Sequence, residues 1–170
     1  MREYFLKTSR IGFSHWTEED FPLALSLWGD PQVSKYLCAK GVFSCEEVKA
    51  RLADEIEHFK THRISRFPIF LLSTGEFIGC CGIHLFNGNF ELGYHLLPKF
   101  WRKGYAAEAA SAAANYYFSA LHLDMLYAGH HPDNKASAHI LKKLGFEYIG
   151  DDFYEPTGQY HPLYTKKQSI

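Results

Sequence analysis

The sequence carries almost no net charge and contains no long apolar run. Its 18 Lys and Arg residues against 19 Asp and Glu give a formal net charge of −1 at pH 7, which provides no general attraction for nucleic acid or an anionic membrane. No uncharged apolar stretch approaches the roughly 18 residues of a membrane-spanning helix. Charged side chains also interrupt the first ten residues, where a signal peptide would be apolar. We therefore expect a cytoplasmic protein that binds neither nucleic acid nor a membrane.

Cysteines are few and lack the spacing of a metal or redox site. They are Cys38, Cys45, Cys80 and Cys81, with no C-x-x-C pair among them. Two adjacent cysteines must point to opposite faces if they share a strand, and we interpret all four as reduced, buried core residues. His58 and His62 would share a helical face, but the H-E-x-x-H arrangement of a zinc-binding helix is missing. We expect no bound metal.

Aromatic residues are plentiful, at 16% of a 170-residue chain that is 46% hydrophobic. A large aromatic share favours a strand-rich core and a groove with apolar walls. A chain of this length can bury a core without disulfides, and no repeat or low-complexity linker divides it. We therefore expect one domain over residues 1–170, present as a monomer or a homodimer.

Hydrophobic patterns predict an antiparallel meander followed by alternating strands and helices. The predicted strands cover residues 5–16, 67–72, 77–85, 90–97, 125–129, 146–149 and 163–166. The predicted helices begin after Thr17, after the capping box Ser44-Cys45-Glu46-Glu47, after Gly104, and after Asp133 or Asn134. This order indicates an α/β (α+β) fold with a mixed, mostly antiparallel central sheet flanked by helices.

A basic, glycine-containing loop comes directly before the alanine-rich helix. Arg102, Lys103 and Gly104 precede the first turn at Tyr105 and Ala106, and the unpaired amides of a helix N-terminus favour an anion the size of a pyrophosphate. A solvated helix start without a ligand is the plain alternative. Neither a P-loop nor a G-x-G-x-x-G motif is present, which disfavours nucleotide hydrolysis and dinucleotide binding.

Two segments together resemble the GNAT superfamily of acetyl-CoA-dependent N-acetyltransferases. The family's CoA loop reads [QR]-x-x-G-x-[GA], and here Trp101-Arg102-Lys103-Gly104-Tyr105-Ala106 matches it except for the leading Trp. The later segment, Asn134-Lys135-Ala136-Ser137 running into Leu144-Gly145-Phe146, matches an Asn ahead of a helix that closes in Gly-Phe. The leading Trp, with Thr8-Ser9-Arg10 and Asp30-Pro31, is similar to the Rim-type branch, which contains ribosomal-protein N-terminal acetyltransferases.

The resemblance implies which residues bind acetyl-CoA, the expected acyl donor. The pyrophosphate would contact the amides of Arg102, Lys103, Gly104, Tyr105 and Ala106, and the pantetheine arm would follow the backbone of Leu96 and Leu97. Asn134 and Ser137 would contact the cofactor, with Ser137 orienting or protonating its sulfur. Many relatives place an acidic Tyr seven residues after the Asn, but Leu141 occupies that position. Capping of the helix alone would also explain Asn134 and Ser137.

Acetyl transfer requires that the amine lose a proton before attack. Strand alternation puts Glu91, Gly93 and His95 on one face, and we predict Glu91 as the general base; a surface carboxylate or the partner of a nearby cation is the alternative. The implied activity is direct transfer in a ternary complex to a primary amine, with a protein or peptide N-terminus favoured. A small-amine enzyme for polyamines or aminoglycosides, or a non-catalytic acyl-CoA-binding module, remains open.

Overall fold

One eight-stranded sheet, in the order β1-β2-β3-β4-β5-β6-β8-β7, organises residues 2–168, the part of the chain that the computed structural model describes. The strands are β1 (Leu6–Lys7), β2 (Ile11–Phe13), β3 (Arg66–Leu71), β4 (Phe77–Phe86), β5 (Asn89–Leu96), β6 (Met125–Gly129), β7 (Glu147–Tyr154) and β8 (Gln159–Lys167). Neighbouring strands run antiparallel except β5 and β6, which are parallel. The mixed, mostly antiparallel α/β fold predicted from the sequence is confirmed.

Helices cover both faces of this sheet and create two apolar clusters. They are α1 (Phe21–Trp28), α2 (Pro31–Ser34), α3 (Cys45–His62), α4 (Tyr105–Ala120) and α5 (Lys135–Lys143). Cys80 packs with Trp28 and Leu52 from α1 and α3, while Cys81 packs with the alanines of α4. The adjacent cysteines therefore point to opposite faces, as predicted, and both are fully buried. The prediction that all four cysteines are core residues is wrong for Cys38, which is half-buried, and for Cys45, which is exposed at the start of α3. Within residues 2–168, the helices are too short or too polar to cross a membrane.

The N-terminal segment differs from its prediction. Residues 5–16 were predicted as one strand, but the structure has β1 and β2 as a short antiparallel hairpin. The Thr8 amide donates to the Ile11 carbonyl at 2.9 Å, and the Thr8 hydroxyl accepts from the Ile11 amide at 2.9 Å. The side chain of Thr8 therefore closes the turn, a local effect that the apolar pattern on either side does not reveal.

The capped and turn-forming elements follow their sequence signals. The Ser44 hydroxyl accepts from the Glu47 amide at 3.2 Å and the Glu47 carboxylate accepts from the Ser44 amide at 2.7 Å, which is the predicted capping box of α3. Asn87 and Gly88 have φ of 48° and 77°, as a type I′ hairpin between β4 and β5 requires. The last two strands are longer than predicted because they pair continuously from Tyr154 opposite Gln159, with a register shift near Gly150.

The site is positioned by the junction between β5 and β6. Their parallel pairing has a single register pair within residues 2–168, Glu91 opposite Tyr127, and β6 otherwise pairs with β8. Beyond Glu91 the two strands therefore diverge and leave a cleft that passes through the sheet. Because α4 follows β5 and α5 follows β6, both helices begin at the end of the sheet where this cleft opens.

Candidate functional site

A loop of free backbone amides follows β5. After the 3₁₀ turn Pro98–Phe100, Arg102 and Gly104 take φ of 59° and 79° and lead into α4. Within the described residues the amides of residues 102–107 have no protein acceptor, and the first helical bond runs from the Glu108 amide to the Gly104 carbonyl at 3.1 Å. Consecutive unpaired amides at a helix N-terminus form an anion-binding concavity.

The N-terminal hairpin holds this loop in place through Glu108 of α4. The Glu108 carboxylate accepts from the Thr8 hydroxyl at 2.6 Å, from the Ser9 hydroxyl at 3.2 Å and from Arg10 Nε at 2.6 Å. Burial acts to raise the pKa of Glu108, but these hydrogen bonds and the charge of Arg10 hold it below its ordinary value. Arg10 also donates to the Lys103 carbonyl at 3.1 Å, so the Thr8-Ser9-Arg10 sequence fixes the amide loop.

At the end of β5, the backbone amides of the two predicted pantetheine contacts, Leu96 and Leu97, point in opposite directions. The Leu97 amide donates to the Ile78 carbonyl at 3.0 Å, which leaves it committed to β4. Backbone groups alternate direction along an antiparallel strand, so the Leu96 amide points away from β4 toward the cleft. The Leu96 carbonyl accepts from the indole of Trp101 at 2.8 Å, which ties the amide loop to the strand. Leu96 is therefore the available donor of the pair.

Asn134, Ser137 and Tyr94 meet where α5 faces β5. The Asn134 side chain caps α5 by accepting from the Ser137 amide at 3.3 Å. The hydroxyls of Ser137 and Tyr94 are 2.8 Å apart and hydrogen-bonded. Burial raises the pKa of Tyr94 and keeps its phenol protonated. Leu141, one turn after Ser137, is fully buried, and both Leu141 and Tyr94 line the same cleft.

Tyr94 was missed by the sequence analysis. Alternation places it on the face of β5 opposite Glu91, but nothing in the pattern identifies α5 as its neighbour.

Glu91 lines the cleft from the other face of β5. Its carboxylate lies close to β6, since Oε1 is 3.7 Å from the position of a Cβ on Gly129. Burial raises the pKa of Glu91, the charge of Arg66 opposes this rise, and the carboxylate of Asp152 adds to it. A raised pKa brings a carboxylate closer to the range in which it can accept a proton and release it again.

The structure brings some of the sequence-predicted residues into one cleft and places the others next to it. Glu91, Asn134 and Ser137 line the cleft together with Tyr94. Leu96, Leu97, Arg102, Lys103, Gly104, Tyr105 and Ala106 lie outside its walls, on the stretch that leads from the end of β5 into α4. Arg51 and Arg66, which the sequence analysis did not select, also line the cleft.

Buried histidines line the cleft. His130 and His131 are both wall residues, and His131 stacks on Tyr36 with ring centroids 5.0 Å apart. Burial, followed by the neighbouring His131 and His130, lowers the pKa of His161 to about 4, and its ring bonds the Thr157 hydroxyl at 2.7 Å. No group of three or more His, Cys, Asp or Glu side chains within residues 2–168 is arranged to hold a metal ion.

Comparison with known proteins identifies the family. The sequence model of the acetyltransferase (GNAT) domain matches residues 10–147. The chain is 30% identical to the uncharacterized N-acetyltransferase p20 of Bacillus licheniformis, covering 85% of this chain and 83% of that protein. It is 27% identical to the spermidine N(1)-acetyltransferase of Escherichia coli over 86% of this chain and 67% of the other. It is 33% identical to the [ribosomal protein uS5]-alanine N-acetyltransferase of E. coli over 60% and 55% of the two chains.

Solved structures agree with the sequence comparison. An acetyltransferase from Agrobacterium tumefaciens superposes with a TM-score of 0.83 and 25% identity over 99% of both chains. The ribosomal L7/L12 alpha-N-protein acetyltransferase RimL, solved in complex with coenzyme A, superposes with a TM-score of 0.79 and 17% identity over 97% and 98% of the chains; this second likeness concerns the fold alone. The chain therefore belongs to the GNAT acetyltransferase family and is an N-acetyltransferase, in a family that uses acetyl-CoA as its acetyl donor.

Proposed function

We propose that this chain transfers the acetyl group of acetyl-CoA directly to a primary α-amine in the cleft between β5 and β6. The proposal is supported by the positions of an amide loop and a cleft along the same strand, β5. Free amides of residues 102–107 follow β5, and the cleft that begins at β5 holds Glu91 on one face and the Tyr94–Ser137 pair on the other. An anion site and a proton acceptor thus lie at the two ends of a short strand.

The pyrophosphate of acetyl-CoA fits the loop because its amides have no other acceptor. Arg102, Lys103, Gly104, Tyr105 and Ala106 would hold it through the backbone, with the charges of Arg102 and Lys103 nearby. The positive φ at Gly104 suits a residue without a side chain. The pantetheine arm would run along Leu96 and Leu97, and the Leu96 amide would donate to the thioester oxygen as negative charge develops there, an interaction commonly contributing about 3 kcal/mol. Asn134 holds the first turn of α5 against this path.

Glu91 would accept the amine proton, directly or through water. An α-amine with a pKa near 8 is already deprotonated in part at neutral pH, and a carboxylate with a raised pKa removes the proton that remains. Asp152 and Arg66 set the pKa of this carboxylate in opposite directions. The free amine then forms its bond to the acetyl carbon, the carbon–sulfur bond breaks, and the second proton of the amine nitrogen leaves to solvent as the neutral amide forms.

The departing thiolate would receive a hydrogen bond from the Ser137 hydroxyl, which itself accepts one from the Tyr94 hydroxyl. The raised pKa of Tyr94 keeps it a donor at every pH at which the enzyme works, and Ser137 can pass that hydrogen bond on to sulfur. A hydrogen bond to an anion is stronger than one between neutral groups. Because a thiolate is a good leaving group without a proton, these two residues replace the function of the tyrosine missing at Leu141, and solvent supplies the proton after release.

The acceptor assignment rests on relatives with two kinds of substrate. One relative is named for spermidine and another for an alanine of ribosomal protein uS5. We favour the α-amine of a peptide or protein N-terminus, as in the Rim-type branch, over a polyamine or an aminoglycoside. The reaction is proposed to take place in one domain over residues 1–170, in a monomer or homodimer. A cytoplasmic location suits the free cysteines, Cys38, Cys45, Cys80 and Cys81.

Steady-state kinetics test the proposal. Thiol release is measured while acetyl-CoA and an N-terminal peptide amine are varied against each other. Direct transfer predicts double-reciprocal lines that intersect, and acetylated peptide equal to the thiol released. Parallel lines would indicate an acetyl-enzyme and contradict direct transfer. Thiol release that does not depend on any amine would contradict the proposed acceptor.

A further inference from the structure

Two partly buried arginine side chains form one wall of the cleft on the α3 face of the sheet. Arg51 of α3 lies between the rings of Trp28 and Phe43, with centroids 4.9 and 4.6 Å from its Cζ atom. Arg66 of β3 donates from Nη1 to the Glu55 carboxylate at 2.9 Å. Both Arg51 and Arg66 have a buried Nε with no hydrogen-bond partner within residues 2–168. Both line the same cleft as Glu91.

Within the described residues, the nearby carboxylate of Glu55 forms an ion pair with only one of these cations, Arg66. Glu55 is 2% exposed, and it accepts from the Ser65 hydroxyl at 2.8 Å, from the Arg66 amide at 2.8 Å and from Arg66 Nη1. All three of these donors belong to Ser65 and Arg66, and none belongs to Arg51. Within the described residues Arg51 has neither an ion pair nor a side-chain hydrogen bond, and the two aromatic rings cover only its faces. A buried cation without an anion is costly unless a ligand supplies one.

The sheet is shaped so that Arg66 reaches toward β5. Arg66 pairs with Gly82 of β4, and Gly82 pairs with Gly93 of β5. A Cβ on Gly93 would lie 2.8 Å from Arg66 Nε, so the arginine side chain crosses β4 and lies over the backbone at Gly93. Gly93 is two residues along the strand from Glu91 and on the same face, a distance of about 7 Å. Glu91 itself has no ion pair within 4 Å in residues 2–168.

The cleft thus offers a carboxylate and a guanidinium pair on one face, at the spacing of a small zwitterion. We propose that the acceptor carries a carboxylate close to its α-amine, and that Arg51 and Arg66 bind this carboxylate while Glu91 receives the ammonium group. The proposal rests on the proposed function and narrows its substrate class. The carboxylate belongs either to a free amino acid or to an acidic residue next to a peptide N-terminus. A polyamine would place further positive charge beside Arg51 and Arg66, which disfavours it.

Matched acceptors test the charge requirement. The probes are the twenty proteinogenic L-amino acids with their α-amides, the dipeptide amides Ala-Asp-NH₂ and Ala-Asn-NH₂, and spermidine. Acetyl-CoA-dependent thiol release is measured for each. We expect kcat/KM for the best carboxylate acceptor to exceed that of its amide by at least about 30-fold, as for a lost buried charge contact. The free amino acids and the dipeptides separate the two sources of the carboxylate.

Variants locate the carboxylate-binding groups. Arg51→Met keeps the volume between Trp28 and Phe43 but removes the charge, and it should bring the ratio of acid to amide kcat/KM close to one. Arg51→Lys should restore part of that ratio. Gly93→Ala, which pushes on Arg66 from the opposite strand, should lower the ratio as well. Lys49→Gln, a change of an exposed cation on the same helix, should leave it unchanged.

The outcomes separate this inference from the proposed function. Turnover of amides or spermidine at least as fast as of carboxylate acceptors would overturn the anion site and leave the acetyltransferase intact. An unchanged ratio in Arg51→Met would overturn the role of the arginines. Absence of thiol release with every acceptor would contradict both proposals.

Discussion

At the scale of the residue, Glu91 links strand geometry to proton transfer. Replacement by Gln removes the proton acceptor and should lower kcat about 100-fold near neutral pH. Because burial raises the pKa of Glu91, the parent kcat/KM should rise with pH through that raised pKa. The Gln variant should lose this acidic limb and keep the limb set by the amine. The measurement is kcat/KM from pH 5 to 9 with one acceptor.

Asp152→Asn provides the control for this pH profile. The Asp152 carboxylate contributes to the rise of the Glu91 pKa, so its removal should shift the acidic limb to lower pH while activity persists. An acidic limb that is identical in the parent and in Glu91→Gln would remove Glu91 from the role of base.

The role of the Tyr94 hydroxyl can be tested separately from the packing of its ring. Tyr94→Phe removes one hydroxyl and leaves the ring in place, and it should lower kcat roughly tenfold with little change in KM for acetyl-CoA. The physical reason is the lost hydrogen bond to Ser137 and, through it, to the departing sulfur. Thioesters with a more acidic thiol should depend less on Tyr94. An equal effect of the substitution on donors of different thiol pKa would contradict this assignment.

At the scale of the element, the β1–β2 hairpin and α4 act as one support for the amide loop. Glu108→Gln keeps the side-chain size but weakens the contacts with Thr8 and Arg10. Because Arg10 also holds the Lys103 carbonyl, we expect about tenfold weaker binding of acetyl-CoA, consistent with losing one charge-assisted hydrogen bond. Isothermal titration with acetyl-CoA measures this change.

A matched substitution separates loop positioning from a general loss of charge. Glu147 of β7 is exposed and lies far along the chain from this contact, so Glu147→Gln should bind acetyl-CoA as the parent does. Equal affinities for the Glu108 and Glu147 variants would show that the hairpin does not position the loop.

At the scale of the whole molecule, histidines between helix and sheet make the fold sensitive to acid. The Nε2 atom of His58 in α3 accepts from the Leu85 amide of β4 at 3.0 Å, and its ring stacks on His84 with centroids 3.6 Å apart. Burial, followed by the charges of His84 and His62, lowers the pKa of His58 in the folded state. The unfolded chain therefore binds more protons just below the ordinary histidine pKa of about 6.5.

Stability should accordingly be full above that pH and decline as the pH falls below it. We expect the midpoint temperature of thermal unfolding to decrease as the pH is lowered from 7.5 to 5. His58→Gln, which retains an acceptor for the Leu85 amide but does not titrate, should show a smaller fall; some fall remains because burial also lowers the pKa of His15, His95 and His130. Identical falls in parent and variant would exclude His58 as a contributor.

The sequence predicted the elements whose signals are local. The capping box at Ser44, the Asn87-Gly88 turn and the helix after Gly104 depend on neighbours within a few residues, so a single chain segment reveals them. The Thr8 turn was missed because one hydroxyl breaks an otherwise continuous strand pattern. Glu91 and Ser137 could be selected from motif and alternation, since each lies beside a recognisable boundary.

The rest of the site depends on contacts between distant segments. The sequence pattern of the charged helix predicts an exposed position for Arg51. In the structure, Arg51 lies between the rings of Trp28 and Phe43. In the sequence, Arg66 is only a residue next to a predicted strand. In the structure, the paired glycines of β4 and β5 leave room for its side chain to reach the cleft. No periodicity in the sequence encodes which strand lies beside which helix. The cleft wall that contains Arg51 and Arg66 depends on such contacts between distant segments.

We propose that acetyl-CoA extends from the amides of residues 102–107 along the end of β5 into the cleft. A crystal structure of the protein with coenzyme A tests it most directly. We predict pyrophosphate oxygens within about 3.2 Å of these amides and the thiol sulfur beside the Ser137 hydroxyl, with Glu91 on the opposite side of the sulfur. Coenzyme A bound elsewhere, or a sulfur outside the cleft, would contradict this binding path.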